Sequence, residues 1–305
     1  MAQERTAIRA KPIHRVWVAV VAFLLLTGNS AGAAYAQGQR AAPPPKRIVS
    51  INACTDQLLF ALAGRSQIAA LSRYAMDDDF SIYSDEVKAS GIKLIKGNAE
   101  EVLKLKPDLV LAGTFTRRAT RELLKRFGVH LVLLPPENTV QGNEHEILRA
   151  ARLFGHEERG KALVAEIERA LAAAPKFDAR HLTVLQFQRR GFVSGPDTLI
   201  GDLLRRLGVA NAAAELGIKG IARSSLEAAL KTKADALVLF DPSARAADQG
   251  EAMLFHPALE SAYPPSRRIV IPGRLIVCGG PALPKAISVL AGALQRLPAR
   301  VSSQP

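Results

Sequence analysis

From Arg47 onward the chain alternates two hydrophobic rhythms. Short apolar runs, each long enough for one strand, are separated by stretches in which apolar residues recur every three or four positions, the spacing of one helix face. The run Arg47 to Asn52 precedes a helical stretch, Thr55 to Leu62, closed by Gly64. Ile68 to Ser72 predicts a second strand, Asp77 to Gly91 is polar and irregular, and Lys93 to Ile95 predicts a short strand. A helix from about Ala99 to Lys106, a strand Leu109 to Ala112, a helix Arg118 to Phe127 stopped by Gly128 and a strand Val129 to Leu134 follow, and Pro135 and Pro136 end this block.

Between Val140 and Ala173 only Gly155 interrupts the helical spacing, so the pattern predicts a long helix with a break near Gly155, closed by Pro175. A second block repeats the first: strands Leu182 to Phe187 and Gly191 to Ser194, a helix Leu199 to Leu207 stopped by Gly208, a helical stretch Ala246 to Leu254, a strand Arg268 to Ile271 and a last helix Leu283 to Leu297. Strands alternating with helices through short connections predict parallel sheets flanked by helices, here as two α/β lobes.

Within this alternation one unit occurs twice. Residues 99–112, AEEVLKLKPDLVLA, align without a gap on residues 226–239, LEAALKTKADALVL, sharing Glu100/Glu227, Leu103/Leu230, Lys104/Lys231, Lys106/Lys233 and Asp108/Asp235. Each glutamate stands two residues after a helix-capping type, Asn98 or Ser225, where a carboxylate stabilises the first helical turn.

Ahead of the alternating region, Arg9, Lys11 and Arg15 precede the apolar stretch Val16 to Leu26, and Ala34-Tyr35-Ala36 has the small-x-small pattern of a cleavage site. This predicts a signal peptide over residues 1–36. The apolar run is shorter than the roughly 20 residues a membrane-spanning helix needs. The expected organisation is then a flexible leader over 37–46, an N-terminal lobe over 47–136, a bridging helix over 137–175 and a C-terminal lobe over 176–305. No cysteine follows the apolar stretch closely enough for a lipid anchor, so a soluble exported monomer in the periplasm is expected.

Cleavage would remove four of 41 basic residues and one of 28 acidic residues, leaving 37 against 27, a net charge near +10. Those cations are spread over helix faces with no run of five or six, and aromatics are sparse, so nucleic acid is not the expected partner. Cys54 and Cys278 are the only cysteines, too few for a disulfide framework. Each opens a predicted cleft loop; free thiols near a ligand or plain packing are expected, with a disulfide the alternative.

The stretches RIVSINACTDQLLFALAG, IAALSRY, GNAEEVLKLKPDLVLAG and VLQFQRRGFVSGPDTLIGDLLRRLG together resemble the class III periplasmic substrate-binding proteins of ABC importers, which serve cobalamin, ferric siderophores and haem. The resemblance covers Arg47 to about Leu297. It implies two Rossmann-like lobes joined by a single long bridging helix, with the ligand held in the cleft between them. It also implies that Glu100 and Glu227, one per lobe, pair with arginines of a membrane permease, and that Tyr74 meets the ligand.

Open α/β sheets bind ligands at the carboxyl ends of their strands. The candidate ligand residues there are Asn52, Cys54, Thr55, Arg73, Tyr74, Phe115, Arg117, Arg189, Arg223 and Cys278. Several arginines with few carboxylates favour an anionic or polar macrocyclic ligand. The only tryptophan, Trp17, lies in the signal segment, whereas cobalamin sites of the resembled family tend to be rich in aromatic rings; this weakens cobalamin among the expected chelates, ferric siderophore, cobalamin or haem. The expected cargo is a metal chelate, with no permanently bound cofactor and no bare metal ion. Nucleophile elbows, zinc-protease pairs and phosphate loops are missing from the sequence, so no catalysis is expected. An exported α/β hydrolase or a periplasmic interaction module remains the alternative.

Overall fold

The computed structural model describes residues 43–240 and 249–298. The signal segment expected over 1–36 and the leader as far as residue 42 lie outside the described residues, as does part of the helical stretch expected around Ala246 to Leu254.

Five strands, β1 (Ile48–Ser50), β2 (Ile68–Ser72), β3 (Leu94–Ile95), β4 (Leu109–Ala112) and β5 (Leu131–Leu133), form a parallel sheet in the order β3-β2-β1-β4-β5. Six more follow: β6 (Thr183–Gln186), β7 (Phe192–Ser194), β8 (Ala210–Asn211), β9 (Ile221–Arg223), β10 (Ala236–Phe240) and β11 (Arg268–Ile271). Of these, β11-β10-β6-β8 make a second parallel sheet, and β7 pairs with β9 as an antiparallel ribbon.

Successive residues of a strand point to opposite faces, and here both faces are covered. Ile48, Leu109 and Leu111 of the first sheet and Val184, Ala236 and Val238 of the second belong to one continuous core. Their neighbours Val49, Val110 and Ala112, or Leu185, Leu237 and Leu239, close two separate outer cores. The lobes therefore rest on shared apolar packing.

The connection expected over 137–175 as one long helix with a break near Gly155 is two helices, Val140–Phe154 and Glu157–Ala173, and the break at Gly155 is a reversal of direction. Gly155 terminates the first in the left-handed region at φ 78°, and the chain turns back. A Cβ on Gly160 would lie 2.5 Å from the Cβ of Ala151, although nine residues of continuous helix would separate them by about 13 Å. The first helix starts in the second lobe, where the Val140 amide donates to Asp202 Oδ2 at 2.9 Å, and ends in the first, where Gln67 Nε2 donates to the Phe154 carbonyl at 3.0 Å. The second helix returns. Arg159 donates to the carbonyls of Leu62 and Ala63 at 3.2 and 2.5 Å, and beyond the helix the Phe177 amide donates to Leu207 O at 2.7 Å. Helical periodicity carries no information on direction after a glycine stop.

Two smaller differences also have local causes. Ser84–Ser90 is helical within the stretch read as irregular, ending on Gly91 at φ 68°. Arg223 lies in β9 rather than in a loop.

Candidate ligand cleft

A cleft of 760 Å³ opens at the carboxyl ends of the first sheet's strands. Asn52 and Cys54 reach it from the end of β1, Arg73 and Tyr74 from the 3-10 turn after β2, Lys96 and Gly97 from the end of β3, and Phe115 and Arg117 from the loop after β4. The second half of the chain contributes Val277 alone among the described lining residues.

Asn52 builds one wall by capping the helix Ala53–Leu62: its Oδ1 accepts from the Cys54 amide at 3.0 Å. Its amide nitrogen lies so close to Gly113 that a Cβ there would come within 2.8 Å of Nδ2. The Tyr74 ring is 41% exposed and stands edge-on to Phe80, centroids 5.6 Å apart, with the Arg73 guanidinium 5.6 Å from its centre. Phe115 is 87% exposed, an aromatic ring with almost no protein packing. Among the described residues the charged ones lining the cleft are Arg73, Lys96 and Arg117, and no carboxylate lines it.

Beneath this wall lies a buried carboxyl. Asp56 accepts from the Ser72 amide at 3.0 Å and from the Ser72 hydroxyl at 2.5 Å. Burial pushes its pKa up to about 7, against the opposing pull of its hydrogen bonds to Ser50 and Ser72.

Asn52, Cys54, Arg73, Tyr74, Phe115 and Arg117 are thus brought together, and three expected ligand residues are placed elsewhere. Thr55 is buried, its hydroxyl donating to Asn52 O at 3.0 Å and lying 2.6 Å from Ser50 Oγ. Arg223 sits on the β7–β9 ribbon with its guanidinium 5.1 Å from the Phe192 ring centre, and Arg189 occupies the exposed turn before β7. Neither lines the cleft.

The expectation of free thiols or plain packing for the cysteines is overturned: Cys54 and Cys278 form a disulfide, with their Cα atoms 5.0 Å apart. Cys278 therefore touches the cleft's edge through its bond to Cys54. Sequence reasoning also missed Lys96, Phe80 and Val277. Lys96 had a usable signal, since it directly follows β3 at a strand's carboxyl end; Phe80 and Val277 had none.

Glu100 and Glu227 both stand exposed in the first turns of short helices, Ala99–Lys104 and Leu226–Lys231. Asn98 Oδ1 accepts from the Glu101 amide at 2.9 Å and Ser225 Oγ from the Ala228 amide at 3.1 Å, the same cap in both lobes. Lys104, 2.7 Å away, holds the Glu100 carboxyl below its ordinary pKa, and the Glu227 backbone amide and the Ser225 hydroxyl do the same for Glu227. Among the described residues no cluster of three or more His, Cys, Asp or Glu is assembled for a metal ion, and no helix is long and apolar enough to cross a membrane.

A family model described as periplasmic binding protein matches residues 48–263. The cobalamin-binding protein of Halobacterium salinarum is 27% identical over 176 residues, covering 56% of this chain and 47% of its own length, so the chain spans about half the length of the curated relatives it matches. A possible iron-binding, periplasmic solute-binding protein of Staphylococcus epidermidis has a structure similar at a TM-score of 0.66, with 21% identity over 82% of this chain and 98% of that one. The apo periplasmic heme-binding protein RhuT of Roseiflexus sp. RS-1 is similar at a TM-score of 0.65, with 22% identity over 83% of this chain and 99% of its own. At these identities the structures establish a common fold.

Proposed function

This chain belongs to the periplasmic binding protein family, whose members are ligand-binding transport proteins rather than enzymes, and from that premise we propose that it is the substrate-binding component of an ABC importer for an anionic metal chelate. The observation that carries the reading is the charge of the cleft: among the described residues Arg73, Lys96 and Arg117 line it and no carboxylate does, and the exposed rings of Tyr74 and Phe115 line it with them. Planar apolar surface with anionic edges is the ligand chemistry this combination recognises. Haem, with two carboxylates on a flat macrocycle, has it; ferric catecholate siderophores share the negative charge and offer aromatic rings arranged around an octahedral iron. The relatives named for heme, iron and cobalamin bracket this class.

Binding holds the chelate against the first lobe, with the cations meeting its anionic groups. Glu100 and Glu227 then present one carboxylate per lobe to arginines of the permease, which takes the ligand from a monomeric carrier. The Cys54–Cys278 disulfide supports an oxidising compartment, and the signal-like segment supports export to the periplasm.

The deciding experiment titrates the mature protein with hemin, a ferric catecholate siderophore and cyanocobalamin, following thermal unfolding and, for hemin, the absorbance spectrum. A ligand at 100 times its Kd stabilises by about 2.7 kcal/mol, a readily measured shift. Stabilisation by an anionic chelate supports the reading. A response to cyanocobalamin alone, or to none of the three, overturns it.

A further inference from the structure

After β11 the chain leaves the second lobe's sheet and crosses to the first. This strap, residues 272–280, buries Leu275 and Ile276 in the shared core and is tied to the first lobe at three further places along its length. Arg274 Nη1 donates to the Asp78 carbonyl at 3.0 Å, in the loop that also carries Phe80. Cys278 is bonded to Cys54 at the start of the helix Ala53–Leu62. The Gly280 amide donates at 2.8 Å to the buried Oδ1 of Asn143, whose nitrogen donates to Thr139 O at 2.8 Å and Glu137 O at 3.2 Å. Gly279, at φ 62° and ψ −134°, has a conformation that only glycine readily adopts, and a Cβ there would collide with Asn143.

Between these pins stands Val277, 50% exposed and the one described lining residue the second half of the chain contributes to the cleft. On its N-terminal side Val277 is held by the buried Leu275 and Ile276 and by its amide, which donates to Gly273 O at 2.9 Å; on its C-terminal side it leads straight into Cys278 and a short 3-10 turn. Of the three pins, two are single hydrogen bonds and one is covalent. The covalent one is adjacent to Val277 in sequence, and its partner Cys54 lines the same cleft.

We propose that the Cys54–Cys278 disulfide is a positioning element of the ligand cleft: it fixes the strap so that Val277 forms the second wall, and opening the bond loosens the grip on ligand. The inference rests on the ligand-binding reading above. Both sulfur-bearing residues are partly exposed, so the bond is within reach of a dithiol reductant. Reduction takes up two electrons and two protons, breaks the S–S bond and leaves two thiols, while the reductant closes to its own disulfide.

The test compares the oxidised protein with the Cys54→Ser/Cys278→Ser variant and with protein treated with dithiothreitol, using hemin as the probe. Expected are a hemin dissociation rate raised about tenfold and trypsin cleavage after Arg274 in the open forms only, with the far-ultraviolet circular dichroism unchanged. Val277→Ala should speed hemin release in the oxidised protein and add nothing in the serine variant, a coupling that a purely stabilising disulfide would not produce. Equal release rates, additive effects or a strap equally protected in both forms overturn the proposal. If hemin does not bind the oxidised protein, the ligand class proposed above is wrong, and cleavage after Arg274 alone decides whether the bond holds the strap.

Discussion

Asp108 and Asp235 hold the same position in the two lobes. Asp108 accepts from the amides of Lys46 and Arg47 at 2.6 and 2.9 Å, just ahead of β1, and Asp235 accepts from the amide of Thr183 at 2.7 Å, at the start of β6. Each also donates its own amide to the same neighbouring strand, at Arg47 O and Thr183 O. Two residues earlier Lys106 and Lys233 share φ 47°, the left-handed turn that feeds each aspartate into position. Replacing Asp235 by alanine leaves the Thr183 amide without its carboxylate and should lower unfolding free energy by about 1–2 kcal/mol in urea titrations. Asp108→Ala, at a more exposed site, should cost less.

How much of this was legible in the sequence follows from what each feature depends on. Caps at Asn98 and Ser225 are local, set by a side chain and an amide three residues away, and the sequence shows them. Glycine stops at Gly128, Gly155 and Gly208, all at positive φ, are equally local. The alternation of Ile48 with Val49 distinguishes two covered faces only once the sheet exists, because both residues are apolar. The disulfide was not legible. Its partners are 224 residues apart and meet only because the strap crosses between lobes, which no periodicity encodes. For the same reason the cleft's cations were recognised at Arg73 and Arg117 by their place after strands, whereas Arg189 and Arg223, given the same weight, stand off the cleft.

Asp56 gives stability a specific pH dependence. Its folded pKa of about 7 lies above the ordinary 3.8, so between those values the folded state holds a proton that the unfolded chain releases. This contribution is fully present below about pH 4, falls as pH rises, and is gone above about pH 7, with a slope approaching 1.4 kcal/mol per pH unit. Asp56→Asn, which keeps an acceptor for Ser72, should flatten the difference in unfolding free energy between pH 4 and pH 7. An unchanged pH profile would show that Asp56 is ionised in the folded state.

The disulfide should also contribute to global stability through the unfolded chain. It closes a loop of 224 residues' separation, for which chain-entropy arguments give roughly 5 kcal/mol. Cys54→Ser/Cys278→Ser should therefore lower the guanidinium midpoint and steepen the slope of the transition, because the unlinked unfolded chain exposes more surface. A smaller loss would mean that the shared core already restrains the two lobes in the denatured ensemble.

Reversing one cleft charge tests the anionic-ligand reading directly. Arg73→Glu, Lys96→Glu and Arg117→Glu should each raise the hemin Kd by about tenfold or more, because a carboxylate there repels where a cation attracted. The effect should weaken in 0.5 M salt at all three positions, since Arg73, Lys96 and Arg117 are all exposed. If all three variants bind hemin as tightly as the parent, the cleft's charge has no part in recognition.

Glu100 and Glu227 separate docking from binding. Both are exposed, neither lines the cleft, and each is fixed by a capped helix start rather than by contact with ligand. Glu100→Lys and Glu227→Lys should therefore leave the hemin Kd unchanged while greatly reducing ligand-stimulated ATP hydrolysis by the permease complex in proteoliposomes. Under the docking proposed above, a two-fold permease reads both lobes at once, so either single reversal should cost nearly as much as both, a non-additivity that loss of helix capping cannot mimic. Glu100 carries a competing partner, Lys104 at 2.7 Å, so Lys104→Ala should free the carboxylate and strengthen docking through the first lobe. At Glu227 the attraction of Lys231 is the weakest of the influences that hold the carboxyl low, and Lys231→Ala should have the smaller effect.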